Sequence, residues 1–89
     1  MAEFLLEVYT PASGPDGGAG GDARVRAAAE QLTREGTAVR YLRSIYVPED
    51  ETCFYLYEAA TPEAVWAAAR RAALRPDHVA EAITEPRGA

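Results

Sequence analysis

The strongest constraint on the fold of this 89-residue chain is a pair of β-rich runs around a short acidic turn. The runs are VRYLRSIYV at 39–47 and TCFYLYE at 52–58, and PEDE at 48–51 separates them. Aromatic and β-branched residues favour strands, whereas proline and acidic residues favour turns. The segment is therefore predicted to form a β-hairpin.

Two outer strands are predicted from alternation of apolar and other residues with a period of two. EFLLEVYT at 3–10 and HVAEAITE at 78–85 both show this pattern, and Pro86 ends the second. A period of two places successive side chains on opposite faces of a sheet. The chain therefore has four predicted strands.

Two helices are predicted between the strands. The segment 22–35 begins at Asp22 as N-cap, carries apolar residues at i, i+3, i+4 and i+7, and ends before Gly36. The second helix begins with Thr61 as N-cap and Pro62 at the first helical position. Its buried face is predicted to be a narrow stripe of small side chains: Val65, Ala68, Ala69 and Ala72.

The resulting order, βαββαβ, predicts one α+β domain over residues 1–89. Right-handed crossovers place the first and third strands at the centre of a four-stranded antiparallel sheet, with both helices on one face. This is a ferredoxin-like sandwich. Residues 11–21 contain five Gly and two Pro without the spacing of a phosphate-binding loop, and we expect them to form a flexible loop.

Composition excludes several classes of partner. The net charge is −5 and every basic residue is Arg, which disfavours nucleic acid and anionic membrane surfaces. The chain has no apolar run near the roughly 18 residues of a spanning helix, and no secretion-signal pattern. A single Cys excludes an internal disulfide. We expect a cytoplasmic protein.

The uncovered face of the sheet is predicted to be too apolar for water and to bind a second copy, giving a homodimeric α+β barrel. Alternation along the second strand also allows the opposite assignment, in which Val39, Tyr41, Ile45 and Val47 point toward the helices. The residues assigned to this face are Leu5, Glu7, Tyr9, Tyr41, Arg43, Ile45, Cys53, Tyr55, Tyr57, Glu81 and Ile83.

Polar residues of that face are candidate ligand-binding residues. They are Glu7, Tyr41, Arg43, Tyr55 and Glu81. Carboxylates beside a guanidinium and phenols can bind a small ligand or perform acid–base chemistry, although interstrand ion pairs and hydrogen bonds inside a dimer interface are the more common explanation. Cys53 and His78 are the only soft metal ligands, and alternation places them on opposite faces. Two ligands cannot close a tetrahedral site unless a dimer doubles them.

The hairpin with the following helix, and ARRAALRPDHVAEAI at 69–83, resembles a small nickel-binding-protein-like family of actinobacterial ferredoxin-like domains. The most specific parts are Ser44 with the acidic turn, YEA at 57–59, PEA at 62–64, and the Pro76-Asp77 turn. The resemblance implies a ferredoxin-like fold, a dimer and a divalent metal, nickel, as cofactor.

The metal ligands implied by the resemblance are only partly present. Glu7 and Glu81 match acidic positions of the family, but Arg43 stands where relatives have histidine and Tyr55 where they have cysteine. A guanidinium has no lone pair for a metal, and Cys53 is the nearest substitute ligand, so the candidate metal set is Glu7, Cys53 and Glu81. We expect a non-enzymatic ligand-binding or metal-binding homodimer. The alternatives are a cofactor-free isomerase or monooxygenase and a pure assembly module.

Overall fold

A computed structural model describes residues 1–11 and 22–83, and its elements follow the predicted βαββαβ order. A single turn of 3-10 helix, Pro48–Asp50, connects the two strands of the hairpin. The predicted loop lies outside the described residues except for Pro11, and so do Thr84 and Glu85 of the predicted last strand. The elements are β1 (Ala2–Tyr9), α1 (Asp22–Arg34), β2 (Val39–Val47), β3 (Thr52–Ala59), α2 (Pro62–Arg71) and β4 (His78–Ala82).

The sheet is antiparallel throughout, with the strand order β2-β3-β1-β4. β1 and β3 are central, as predicted, and the fold is the α+β ferredoxin-like fold. One hydrophobic core joins the sheet to both helices, so the helices cover a single face. The opposite face of the four strands is left without a covering layer among the described residues.

Local signals set the helix ends. Thr61 caps α2, since its Oγ1 accepts a hydrogen bond from the backbone N–H of Ala64 at 3.3 Å. Gly36 follows α1 with φ of +104°, a left-handed conformation that glycine adopts at little cost. The predicted small-residue stripe of α2 is fully buried. Small side chains there let the helix axis approach the sheet closely.

The predicted face of β3 is wrong. Cys53, Tyr55 and Tyr57 belong to the core under the helices, whereas Phe54 and Leu56 lie on the open side. Both faces of this strand carry bulky apolar side chains, so the alternation gives no contrast between them. Packing against the helices, and not the strand's own pattern, decides the orientation.

A bulge also corrects the predicted face of β2. The pairing with β3 shifts between Tyr41 and Arg43, so Leu42 is inserted without a direct partner. Before the bulge Tyr41 faces the helices, and after it Arg43 and Ile45 face the open side. Each alternative assignment of this strand therefore holds for one part of it.

The predicted faces of β4 are reversed as well. His78 lies opposite Glu7, and Glu81 lies opposite the buried Phe4. Directly paired residues of an antiparallel ladder share a face, so His78 is on the open side and Glu81 on the helix side. Ile83, assigned to the same side as Glu81, follows the end of the strand and is exposed.

Candidate functional site: the open sheet face

Leu56 is the centre of an apolar strip across the open face. Its exposed fraction is only 9%, yet it is outside the core under the helices. Its direct neighbours across the sheet are Leu5 and Arg43. In the next row Phe54 lies between Ile45 and Glu7. Two adjacent rows of the sheet thus present mainly apolar side chains on the side that neither α1 nor α2 covers.

Parts of this strip are widely exposed to solvent. Ile45 is 54% exposed, and Tyr9 at the end of β1 is 60% exposed. Contiguous exposed apolar surface of this kind marks interaction sites more often than isolated exposed residues do. The open face therefore has the composition of a contact surface.

Glu7 and His78 form the most distinctive polar pair of this face. They are direct cross-strand partners, and side chains in such pairs have Cβ atoms about 5 Å apart. Asp77 holds the two strands together here, because its backbone N–H donates to the Glu7 carbonyl oxygen at 2.7 Å. Its Oδ2 accepts from the Tyr9 backbone N–H at 3.0 Å. The start of β4 is therefore fixed beside β1, with a carboxylate and an imidazole on one surface.

Other charges of the open face lie toward its edges, among them Glu3, the direct partner of Glu58. Arg40 and Glu58 are directly paired across β2 and β3, with Nη1 and Oε1 3.6 Å apart. An exposed pair of this kind contributes about 0–1 kcal/mol to stability. Arg43 has no ion pair or hydrogen bond within residues 1–11 and 22–83. Its guanidinium is thus available to an acidic group outside the chain.

A second cluster lies on the helix side, where three tyrosines pack together. The ring centroid of Tyr41 is 6.4 Å from that of Tyr55 and 5.8 Å from that of Tyr57. Burial raises the pKa of all three phenols above the ordinary value of about 10. Among the described residues, neither Tyr41 Oη nor Tyr57 Oη has a hydrogen-bond partner.

Polar groups border this tyrosine cluster at the start of α1. Ser44 Oγ donates a hydrogen bond to Asp22 Oδ1 at 3.0 Å, so these two side chains near the Tyr41 phenol bond to each other. Cys53 is buried beside Tyr55, and burial is the main cause that raises the pKa of its thiol. A thiol held in its protonated form is a poor nucleophile and a poor metal ligand.

The five predicted ligand-binding residues are divided between the two faces. Glu7 and Arg43 are on the open face, and Tyr41, Tyr55 and Glu81 are on the helix side. The candidate metal residues are separated in the same way, since Cys53 is buried under the helices and Glu7 is not. Neither set forms one pocket within the chain.

Sequence reasoning missed His78 as the neighbour of Glu7. The signal that could have found it is the register of β4 on β1, which alternation within one strand does not contain. Among the described residues, no group of three or more His, Cys, Asp or Glu side chains could hold a metal ion. The Glu7–His78 pair offers two donors in one copy.

A protein-family model described as nickel responsive protein SCO4226-like matches residues 17–82, well over half of the chain. The chain belongs to this family. The match confirms the family resemblance found in the hairpin and the second helix. No curated protein matches the chain.

Among solved structures, the chain is similar to the crystal structure of SCO4226 from Streptomyces coelicolor A3(2). The TM-score is 0.69 with 19% sequence identity, and the match covers 96% of this chain and 100% of the other. At this identity the likeness supports the fold alone. No helix in the described ranges has the length and apolar character needed to cross a membrane.

Proposed function

We propose that this family member is a non-enzymatic binding domain that works as a homodimer, with the open sheet faces of two copies in contact. The observation that carries the proposal is the apolar strip of Leu56, Phe54 and the exposed Ile45, which neither of the two described helices covers. Burying such surface in a second copy removes it from water and stabilises the pair by about 25 cal/mol per Å².

Charge on the open face also favours contact with an identical copy. In a twofold contact, every pair formed by one residue of the first copy and another residue of the second copy occurs a second time with the two copies exchanged. Glu7 and Arg43 have opposite charges, lie on the same face, and make no ion pair among the described residues. Two Glu7–Arg43 pairs between copies would satisfy both groups.

Sedimentation velocity tests the dimer. We expect the wild-type chain to sediment as a dimer at micromolar concentration, and Ile45→Glu to sediment as a monomer with an unchanged circular dichroism spectrum. The control is Trp66→Glu, which places the same charge on an exposed aromatic of α2, on the other side of the molecule. A monomeric wild type, or equal loosening by both variants, would contradict the proposal.

We further propose that the dimer binds a divalent metal ion of the nickel class between the two open faces. The family's description supports the choice of metal. One copy does not fit such an ion, since Glu7 and His78 provide only two donors. Two copies provide two carboxylates and two imidazoles, which are suitable ligands for divalent nickel. Cys53 and Glu81 are not among the proposed metal ligands, because they lie on the helix side of the sheet.

Nickel titration by calorimetry after chelator treatment tests this site. We expect one ion per two chains, loss of binding in His78→Ala, and weaker binding in Glu7→Gln. Cys53→Ser is the control and retains the wild-type affinity, because its sulfur is buried on the other side of the sheet. One ion per chain with dependence on Cys53 would refute the site. If the protein is a dimer but nickel titration gives no heat above dilution, the pure assembly module is the remaining interpretation.

The enzyme alternative finds no support in the placement of the two candidate carboxylates. A cofactor-free isomerase or monooxygenase needs an acid or base enclosed in an apolar cavity. Glu7 and Glu81 lie on opposite faces of the sheet, and Glu81 is exposed. They therefore cannot act together on one substrate within a single copy.

A further inference from the structure

A groove of about 530 Å³ lies between α1 and the start of the edge strand β2, away from the Glu7–His78 pair. Volumes of about 300–1,000 Å³ are typical of small-molecule sites. Three of its lining residues, Ala29, Val39 and Tyr41, belong to the buried core and give it an apolar floor. The groove can therefore shield the apolar body of a ligand from water.

Two arginines of α1, Arg26 and Arg34, line the same groove. Arg40 also borders it, but the Arg40 side chain pairs with Glu58 on the open face. Glu30 is the acidic residue among the lining residues, so the two positive charges of Arg26 and Arg34 face one negative charge. The whole chain has a net charge of −5 with nine basic residues. The groove is thus a positively charged region on an acidic protein.

Arg26 and Arg34 are not held in ion pairs by other described residues. The Arg26 guanidinium carbon is 4.9 Å from the centroid of the Tyr41 ring, a cation–π arrangement that holds it over the floor of the groove. Within the described ranges neither Arg26 nor Arg34 has an ion pair. These donors remain available to an anion.

The backbone beside the groove is not free to add a peptide strand. Thr33 Oγ1 donates to the Val39 carbonyl oxygen at 2.7 Å and accepts from the Val39 N–H at 3.2 Å. Both outward backbone groups of Val39 are therefore already bonded, and the bulge after Tyr41 interrupts the edge further on. Protected and bulged edges resist strand addition, so a small ligand suits the groove better than a peptide does.

We propose that this groove binds a small organic anion, a carboxylate with an apolar or aromatic body. The body lies on the floor beside the Tyr41 ring, and the carboxylate accepts hydrogen bonds from both Arg26 and Arg34 at the rim. Planar guanidinium groups match the two oxygens of a carboxylate. The site does not depend on the dimer or on the metal proposed above.

Titration of the ¹⁵N-labelled chain with benzoate tests the site, with benzylamine as a cationic ligand of similar size and shape. We expect saturable shifts of the Ala29, Thr33 and Ala38 amides with benzoate and much smaller ones with benzylamine. Arg26→Gln and Arg34→Gln should each raise the Kd for benzoate about tenfold, as expected for loss of a charge-assisted hydrogen bond. Arg70→Gln removes the same charge from α2, outside the groove, and should leave the Kd unchanged.

Three results would overturn the proposal. One is the absence of saturable shifts at millimolar benzoate, and another is equal binding of benzylamine. The third is a set of shifts at Phe54 and Leu56 on the open face in place of those at the groove. If Arg26→Gln lost its fold through the contact with Tyr41, the result for Arg34→Gln would decide, because Arg34 makes no such contact.

Discussion

Replacing Tyr57 by Phe is expected to stabilise this protein, although the residue is among its most buried. Tyr57 is 0% exposed, and its Oη has no hydrogen-bond partner among the described residues. A buried hydroxyl without a partner costs about 1–3 kcal/mol, and phenylalanine keeps the ring while removing that cost. We expect a gain of about 1 kcal/mol in the free energy of unfolding. In a domain of this size that raises the Tm by about 4–8 °C.

Tyr46→Phe is the matched control for the same chemical change. Tyr46 Oη donates to the Thr10 carbonyl oxygen at 3.0 Å, so the substitution removes a hydrogen bond that is made. We expect a loss of about 1 kcal/mol and a lower Tm. Thermal unfolding followed by circular dichroism at one fixed protein concentration compares the two variants. A fall in Tm for Tyr57→Phe as large as that for Tyr46→Phe would show that the Tyr57 hydroxyl has a partner, and the reasoning would fail.

Three further predictions concern pH and local structure. Because burial raises the folded-state pKa of Tyr41, Tyr55 and Tyr57, their contribution to stability is complete below the unfolded value of about 10 and falls as the pH rises above it. The absorbance of these three tyrosinates should therefore appear together with loss of the circular dichroism signal; tyrosinate absorbance from all five tyrosines in a chain that keeps its circular dichroism signal would contradict this. Thr61→Ala should cost about 1 kcal/mol in urea unfolding, whereas Thr61→Ser keeps the cap and should cost little. Gly36→Ala should also cost about 1 kcal/mol, solely through its φ of +104°, since a Cβ there meets nothing within 4 Å; a loss of several kcal/mol would indicate a clash.

The parts of the site that sequence could predict are those that depend on single residues. Glu7 and Arg43 were placed on the open face correctly, because β1 alternates cleanly and Arg43 is charged. Tyr41, Tyr55 and Cys53 were misplaced, since their strands carry bulky apolar residues on both sides. The Glu7–His78 pair was missed because it joins residues 71 positions apart through the register of two strands.

The sequence by itself determined the elements, their order and their ends. Alternation in the outer strands, the helical spacing from Val25 to Leu32, the Thr61-Pro62 start and Gly36 are local signals, and each acts over a few residues. Given four strands and two helices in this order, right-handed connections leave few arrangements other than the ferredoxin-like one. The family resemblance agrees with this outcome.

Only the tertiary structure decided which face each residue of β2, β3 and β4 occupies. A shift of one residue in strand pairing moves every side chain to the other face, and the apolar content of β3 is similar on both faces. Packing of the helices on Tyr55 and Tyr57, together with the bulge at Leu42, selects one of the two solutions. That selection leaves Leu56 on the uncovered side and turns the open face into the proposed contact surface.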